Sequence, residues 1–258
     1  MSLPFVFLNM AMSADGKIAT ANRAVSSFGS KRDFEHLLEL RATADAVLAG
    51  ARTVDREEVN LGPGPARFRR RRLKNGLAEF NLRIVASGSG SLNPRAEIFR
   101  RRFSPIIILV SESAPARKLK QLRAVADEVK ICGRTEIDFK RAFRWLRDQW
   151  NIKRVLCEGG GELNSALFRA GLVNELHLTL CPKILGGRDA PTIADGTGVL
   201  KLVDAARLRL KSLKRENGEL FLVFGILRRP RRHGVSIVRW RSTVAAFPPN
   251  APAAKANH

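Results

Sequence analysis

The stretch that decides the fold runs Glu158-Gly159-Gly160-Gly161-Glu162-Leu163-Asn164. An apolar run of strand type, 153–157, precedes it, and a segment with apolar residues at helical spacing, 163–171, follows it. The glycines are therefore predicted on a strand-to-helix turn, where free backbone N–H groups favour an anion. Glycine also lets a diphosphate approach the main chain without Cβ contacts. The pattern favours a phosphorylated-cofactor site with the Glu158 carboxylate beside it. A tight turn that needs glycine only for its conformation is the alternative.

Outward from this turn, strand-like runs alternate with helical patterns, which predicts an α/β fold built on a largely parallel sheet with flanking helices. Buried strands are expected at 5–9, 46–50, 82–86 and 105–110. Helices are expected after Ser30, with Asp33 as its capping-box acid, and at 119–126 and 139–150. The last runs, 176–180, 208–210 and 220–227, alternate as antiparallel strands do, and Asn217-Gly218 is typical of a hairpin turn.

The composition predicts a cytoplasmic protein with one domain and a tail. The chain has 258 residues, 45% of them hydrophobic, and no apolar run approaches the roughly 18–20 residues of a membrane span. The N-terminus is typical of a first strand rather than a signal peptide. Three widely spaced cysteines fit neither a disulfide framework nor a zinc site and indicate reduced thiols. We expect a domain at 1–228 and a basic, disordered tail at 229–258.

The formal charge of +22 is concentrated in two places, the run 67–74 and the segment 228–258. Such a field attracts anions of any kind, including nucleotides, sugar phosphates, RNA and membrane surfaces. Aromatic residues are not interleaved with the basic ones, so the signature of RNA binding is absent. We therefore interpret the charge as solvated surface or a small-anion site, with nucleic acid as the disfavoured alternative.

The motifs point to chemistry carried by a bound cofactor rather than a metal. The sequence has no Gly-x-Gly-x-x-Gly, no Gly-Lys-Ser/Thr and no zinc-deaminase signature, and its four histidines are isolated. Small polar residues follow several predicted strands, where ligands of open α/β sheets collect. With no nucleophile–base pair and no metal cluster in view, a cofactor is expected to supply the reactivity.

Four segments, 9–20, 44–54, 158–164 and 181–187, resemble the pyrimidine reductases of riboflavin biosynthesis. These are the reductase partner of the bifunctional deaminase–reductase and its stand-alone relatives. The resemblance covers about residues 4–227 and implies a dihydrofolate-reductase-like fold, NADPH as hydride donor and a homodimer. It implies reduction of the ribosylamino group of a diaminopyrimidine or uracil 5′-phosphate to a ribitylamino group.

The resemblance also implies site residues. Those at NADP-contacting positions are Ala11, Ser27, Thr53, Glu57, Ser89, Ser91, Gly159, Gly160, Gly161, Glu162, Leu163 and Asn164. Substrate-contacting positions hold Arg41, Leu61 and Glu158, although Arg41 could equally be a solvated charge near a helix C-terminus. Glu158 is the expected proton donor, and Asp15 is a weaker candidate.

The chain departs from the family pattern after Thr53. Gly64 stands where the family carries a substrate-binding Arg, and the basic run 67–74 follows directly. Either Arg67 supplies the missing phosphate contact or the substrate differs. The alternatives are therefore a paralogous reductase, for example of dihydrofolate, and a non-catalytic protein that binds RNA through its basic segments.

Overall fold

The computed structural model describes residues 2–23, 28–56 and 59–227. The strands are β1 (Phe5–Ser13), β2 (Ala46–Gly50), β3 (Leu82–Ala86), β4 (Ile106–Val110), β5 (Glu128–Ile131), β6 (Arg154–Cys157), β7 (Val173–Cys181), β8 (Arg207–Glu216) and β9 (Glu219–Leu227). The helices are α1 (Lys31–Arg41), α2 (Ala51–Arg56), α3 (Ala66–Lys74), α4 (Glu97–Arg100), α5 (Ala116–Arg123), α6 (Phe139–Trp150) and α7 (Gly161–Arg169). None of these helices is long and apolar enough to span a membrane.

The nine strands form one sheet in the order β5-β4-β3-β2-β6-β1-β7-β9-β8. Neighbours from β5 to β7 run parallel, whereas β9 is antiparallel to both β7 and β8. The predicted class, a largely parallel sheet with antiparallel C-terminal strands, is confirmed. Since β6 lies between β1 and β2, the turn that follows β6 emerges near the middle of the sheet.

Helices cover both faces of the sheet, which explains why its central strands are continuous apolar runs. Every residue of β4 is fully buried. On one face, Phe139, Phe143 and Leu146 of α6 pack against alternate residues of the strands, and a second apolar cluster fills the other face. The buried strands therefore form a rigid base for the loops at their carboxyl ends.

Local details differ from the expectations in two places. Helix α5 begins at Ala116, directly after Pro115, and ends three residues earlier than predicted. Ser30 caps α1 by accepting a bond from the Asp33 N–H, but Asp33 does not return the bond. Instead the Ser30 N–H and hydroxyl donate to the two carboxylate oxygens of Glu219, at 2.8 and 2.6 Å. The capping-box role predicted for Asp33 is wrong, because a residue from β9 fills it.

The three cysteines are free and buried. Burial raises the pKa of the Cys157 and Cys181 thiols to about 12, so both are protonated at neutral pH. They are packing residues of the sheet. The predicted tail, and with it the proposed boundary at residue 228, lies outside the described residues.

Candidate active site

A large cleft of about 1410 Å³ opens where β2, β3 and β6 end. The glycine turn lies on its floor, the start of α1 on one side and the loops after β3 and β4 on the other. Ligands of open α/β sheets collect at such a carboxyl edge. The cleft is large enough for a dinucleotide and a second small molecule, since drug-sized sites measure about 300–1,000 Å³.

The three glycines of the turn have different surroundings. Gly159 has a positive φ of 80°, and a Cβ there would lie 2.5 Å from Met10 Sδ. A Cβ on Gly161 would lie 2.5 Å from the Thr192 carbonyl oxygen. A Cβ on Gly160 would meet only Thr53 Oγ1, at 3.7 Å. Gly159 and Gly161 are therefore required by packing, whereas Gly160 leaves open space on the cleft side.

Helix α7 begins at this turn without a side-chain cap. The N–H groups of Gly161, Glu162 and Leu163 have no hydrogen-bond acceptor among the described residues, so they can hold an anion, which the helix dipole favours. Glu162 in that turn is ion-paired with Arg52, so its charge is partly offset. Gly160, Gly161, Glu162 and Leu163, which were predicted to bind the cofactor, line the cleft. Gly159 and Asn164 instead support the turn: Gly159 accepts a bond from the Gly50 N–H, and the Asn164 amide donates to the Ile193 carbonyl at 2.8 Å.

Arg41 and Glu158 form a bidentate ion pair beside the turn. Arg41 Nε and Nη2 donate to the two Glu158 oxygens, both at 2.6 Å, and Nη1 donates to the Gly62 carbonyl oxygen at 2.6 Å. Both side chains are about nine-tenths buried and both line the cleft. The solvated-charge reading of Arg41 is wrong. Each Glu158 oxygen accepts one bond from Arg41 and keeps a second lone pair that a ligand can use.

The cofactor positions named above fall on both walls of the cleft. Ala11, Thr53, Ser89 and Ser91 line it. Ser27 and Glu57 lie outside the described residues. Lys140, at the start of α6, lines the cleft as well and forms no ion pair within the described residues.

Three predicted residues lie elsewhere. Asp15 accepts bonds from the Ser13 hydroxyl and the Leu185 and Gly186 N–H groups, which hold the pKa of its carboxyl at about 2. Because Asp15 closes a turn and does not line the cleft, the structure argues against a catalytic role. The Leu61 side chain is 1% exposed and packs in the core rather than in the cleft. Arg67 also lies outside the cleft lining, and its guanidinium forms an ion pair with Glu35 at 2.6 Å.

Comparison with known proteins places the chain in a family. The model of the RibD C-terminal domain matches residues 4–221. The chain belongs to the RibD C-terminal domain family. It is 36% identical over 208 residues to the 2,5-diamino-6-ribosylamino-4(3H)-pyrimidinone 5′-phosphate reductase of Methanothermobacter thermautotrophicus, covering 81% of this chain and 91% of that protein. Identity to the reductase of the same name from Archaeoglobus fulgidus is 32%, covering 85% and 96%.

Solved structures agree with this assignment. A pyrimidine reductase-like protein from Corynebacterium diphtheriae superposes with a TM-score of 0.71 at 25% identity, covering 88% of this chain and 93% of that one. RibD from Acinetobacter baumannii gives 0.70 at 21% identity, covering 87% and 58%, and shows the same fold. The predicted resemblance and its dihydrofolate-reductase-like fold are confirmed.

Within this family, the departure at Gly64 has a structural explanation. Gly64 has a φ of 78°, and a Cβ there would lie 2.9 Å from Leu38 Cδ2. A side chain at this position would therefore collide with the buried Leu38, and Gly64 is not among the residues that line the cleft. Lys31 lines the cleft at the start of α1 and forms no ion pair within the described residues, and Arg23 and Arg41 line the cleft as well.

Sequence reasoning missed several cleft residues. Asn9 lies within β1, where its neighbours are apolar, and Asp33 was assigned to capping. Residues of the loop 191–197 line the cleft, because the Asp195 N–H donates to the Gly161 carbonyl oxygen at 3.0 Å and holds the loop beside the glycine turn. The placement of a polar residue in the apolar strand β1 could have signalled Asn9, whereas the polar start of α1 gives no such signal for Asp33.

Proposed function

We propose that the chain is an NADPH-dependent reductase of the riboflavin pathway. Its substrate is a 6-ribosylamino-pyrimidine 5′-phosphate, whose ribosylamino group becomes ribitylamino. The observation that carries the proposal is one cleft that joins an open glycine turn at a helix N-terminus to the buried Arg41–Glu158 pair. The names of the archaeal relatives support the same reaction.

The residues present fit a dinucleotide. The space on the cleft side of Gly160 is what a diphosphate requires, and the free N–H groups of α7 are its natural hydrogen-bond donors. Lys140 and the serines Ser89 and Ser91 line the other end of the cleft, where a 2′-phosphate would be recognised over a free hydroxyl. NADPH, when bound, supplies the hydride.

The protein's own contribution is to position the sugar and exclude water. Glu158 is fixed by Arg41, so its carboxylate can accept a substrate hydroxyl in one orientation while Arg41 stays buried at its side. The Arg41–Glu158 pair thus serves as a rigid polar anchor rather than a mobile acid. Lys31 provides a cation for the phosphate on the α1 side of the cleft, in place of the side chain missing at Gly64.

The homodimer implied by the family is part of the proposal. Support comes from β8, which ends the sheet and carries the exposed side chains Leu208, Leu210 and Leu213. An exposed edge strand with apolar side chains is a surface that proteins cover. Analytical ultracentrifugation of the purified chain tests this part.

The rival role in RNA binding receives less support from the basic run than its composition suggests, because three of its six cations are engaged and only Arg70, Arg71 and Lys74 remain exposed without an ion pair among the described residues. Arg67 and Arg69 are ion-paired with Glu35 and Glu79, and the Arg72 guanidinium is buried. A face that recognises a phosphate backbone needs cations available to it.

The direct test is reduction of the substrate by the purified chain, followed as loss of NADPH absorbance. Substrate with an amino group or an oxygen at pyrimidine C2 should be offered separately, with NADPH and with NADH. Dihydrofolate serves as the comparison substrate. Turnover of dihydrofolate alone, or of none of the three, would refute the proposal. Efficiency with NADH equal to that with NADPH would refute only the cofactor preference.

A further inference from the structure

Helix α1 ends at Arg41, the arginine of the buried ion pair in the cleft, and α3 supplies donors to that end. The last carbonyl groups of a helix have no partner within the helix itself. Arg72 Nη1 donates to the Arg41 and Ala44 carbonyl oxygens, both at 2.6 Å. The Asn75 amide, directly after α3, donates to the Ala42 carbonyl oxygen at 3.1 Å. The inner side of α3 therefore caps the C-terminus of α1, where a cation also suits the helix dipole.

The Arg72 guanidinium is held by backbone groups rather than by an acid. The residue is 1% exposed, its Nε donates to the Ala78 carbonyl oxygen at 2.9 Å, and it forms no ion pair among the described residues. A buried charge is costly unless hydrogen bonds replace its water, so the positions of these carbonyl groups and of the guanidinium depend on each other. Arg72 does not line the cleft. Any effect that it has on the site must therefore pass through the residues that it holds.

The same segment of the chain, 60–75, also holds the side chain of Arg41. The Gly62 carbonyl oxygen accepts a bond from Arg41 Nη1 at 2.6 Å, and the Gly62 N–H in turn donates to the Asn60 side-chain oxygen at 2.8 Å. Arg41 is thus fixed at its backbone by α3 and at its guanidinium by the loop before α3. This segment is the part of the chain that departs from the family pattern and carries the basic run.

We propose that Arg72 is a positioning residue of the active site: it fixes the end of α1 so that the Arg41 guanidinium meets Glu158, and Glu158 is thereby aimed at the substrate. The contact of Glu158 with the substrate rests on the proposed function, whereas the effect of Arg72 on the ion pair does not. The basic run then serves the site through its one inward arginine rather than by binding a phosphate. Displacement of a site by about 1 Å from a remote residue can lower the rate by about 10²-fold.

The chain offers a matched control in Arg83, which is 0% exposed and lies outside the cleft lining. Its guanidinium also donates to three backbone carbonyls, those of Ile98, Arg101 and Ser104, at 2.5–3.0 Å. Alanine at either arginine should lower Tm, because each change leaves three carbonyls without their donor. Only Arg72→Ala should also lower kcat/KM for the ribosylamino-pyrimidine phosphate, by about 10²-fold, with the Kd of NADPH unchanged. Arg72→Lys, which keeps the charge without the planar fork, should give an intermediate loss, and Arg83→Lys none.

A second readout needs no substrate. The Nε–H group of Arg41 donates to Glu158 at 2.6 Å and should give a slowly exchanging ¹⁵N–¹H resonance, assigned by its loss in Arg41→Lys. Arg72→Lys should shift this resonance and speed its exchange by about 10-fold or more, the effect of a lost hydrogen bond to a charged group. Arg83→Lys should leave the resonance in place.

The outcomes separate the inference from the proposed function. Equal losses of kcat/KM in the Arg72 and Arg83 variants would make Arg72 a residue of general stability and overturn its positioning role. An Arg41 resonance that is unchanged in Arg72→Lys would overturn it as well. A parent that reduces no ribosylamino-pyrimidine phosphate refutes the proposed function, while the resonance still decides whether Arg72 positions the ion pair. If the alanine variants fail to fold, the two lysine variants give the same comparison.

Discussion

Replacing Gly160 and Gly161 in turn separates cofactor binding from folding at the same turn. The Cβ of Gly160→Ala would have Thr53 Oγ1 as its only neighbour, at 3.7 Å, an ordinary van der Waals distance. The Cβ of Gly161→Ala would lie 2.4 Å from Asp195 Oδ2 and 2.5 Å from the Thr192 carbonyl oxygen, so the backbone must shift. Gly160→Ala should therefore leave the fold intact, whereas the adjacent Gly161→Ala should destabilise it.

The expected magnitudes follow from these surroundings. Gly161→Ala overpacks the turn, which costs about 1–3 kcal/mol and lowers Tm by about 2–12 °C at 2–4 °C per kcal/mol. Gly160→Val should lower Tm by no more than about 4 °C, since a Cβ has room there and the loss of a good N-cap residue costs about 1 kcal/mol. If its side chain displaces a diphosphate from one N–H group of α7, the lost bond costs about 1.5–3 kcal/mol. That corresponds to about a 10- to 150-fold rise in the Kd of NADPH.

The assays are thermal unfolding by circular dichroism and titration of NADPH fluorescence on the same preparations. Gly160→Ala serves as the graded control, with an effect between those of the parent and Gly160→Val. An unchanged Kd in Gly160→Val would place the diphosphate elsewhere in the cleft. A Gly160→Val protein less stable than Gly161→Ala would refute the description of the turn.

Three further predictions concern charged residues. Arg41→Ala should reduce the free energy of unfolding by about 3–5 kcal/mol, measured in urea, because it leaves Glu158 buried without its partner; a smaller loss after the further change Glu158→Gln would confirm the coupling. Arg67→Ala should leave the substrate KM nearly unchanged and lower the free energy of unfolding by only about 0–1 kcal/mol. Arg72→Ala should lower the free energy of unfolding by more than about 2 kcal/mol, because three backbone carbonyls lose their donor. Asp15→Asn should be less stable than the parent at neutral pH, and this difference should shrink as the pH falls from about 4 through the folded-state pKa of about 2. A difference that keeps its neutral-pH size at pH 2 would contradict the stated cause.

Much of the fold was predictable because its signals are local. The continuous apolar runs of β2, β3 and β4 indicate strands buried on both faces, and the glycine turn follows directly from its own sequence. The Asn217-Gly218 hairpin was equally readable, and both residues have the positive φ of such a turn, 52° and 80°. These features depend on residues close together in the chain.

The remaining features depend on partners far apart in sequence. Glu219 replaces the predicted acid at the cap of α1 from 189 residues away. The Arg41–Glu158 pair joins residues 117 apart. Neither pairing leaves a periodic signal, so the carboxylate that a sequence motif assigns to proton transfer can be engaged by an arginine that no motif connects to it. For the same reason Asp33 was assigned to capping.

The basic run shows why net charge alone is a poor guide to an anion site. Phe68 and Arg72 are one helical turn apart and both buried, so the run has an inner face despite its composition. Arg72 donates to three backbone carbonyls. Burial lowers its pKa to about 10, but this is still well above neutral pH, so the guanidinium stays ionised. Arg83 is buried in the same manner, also with a pKa of about 10. These charges stabilise loops and are not available to a ligand.

The selectivity of the cleft must therefore come from a few directed groups rather than from the field of the whole protein. Its floor offers N–H groups at α7, and its buried pair offers one fixed carboxylate. A diffuse positive field raises the rate at which any anion arrives. Only hydrogen-bonding groups in fixed positions distinguish one phosphorylated pyrimidine from another, because a mismatched ligand leaves a buried partner unpaired. Raised salt should accordingly weaken substrate capture for both pyrimidine forms alike, and the ratio of their kcat/KM values should stay constant.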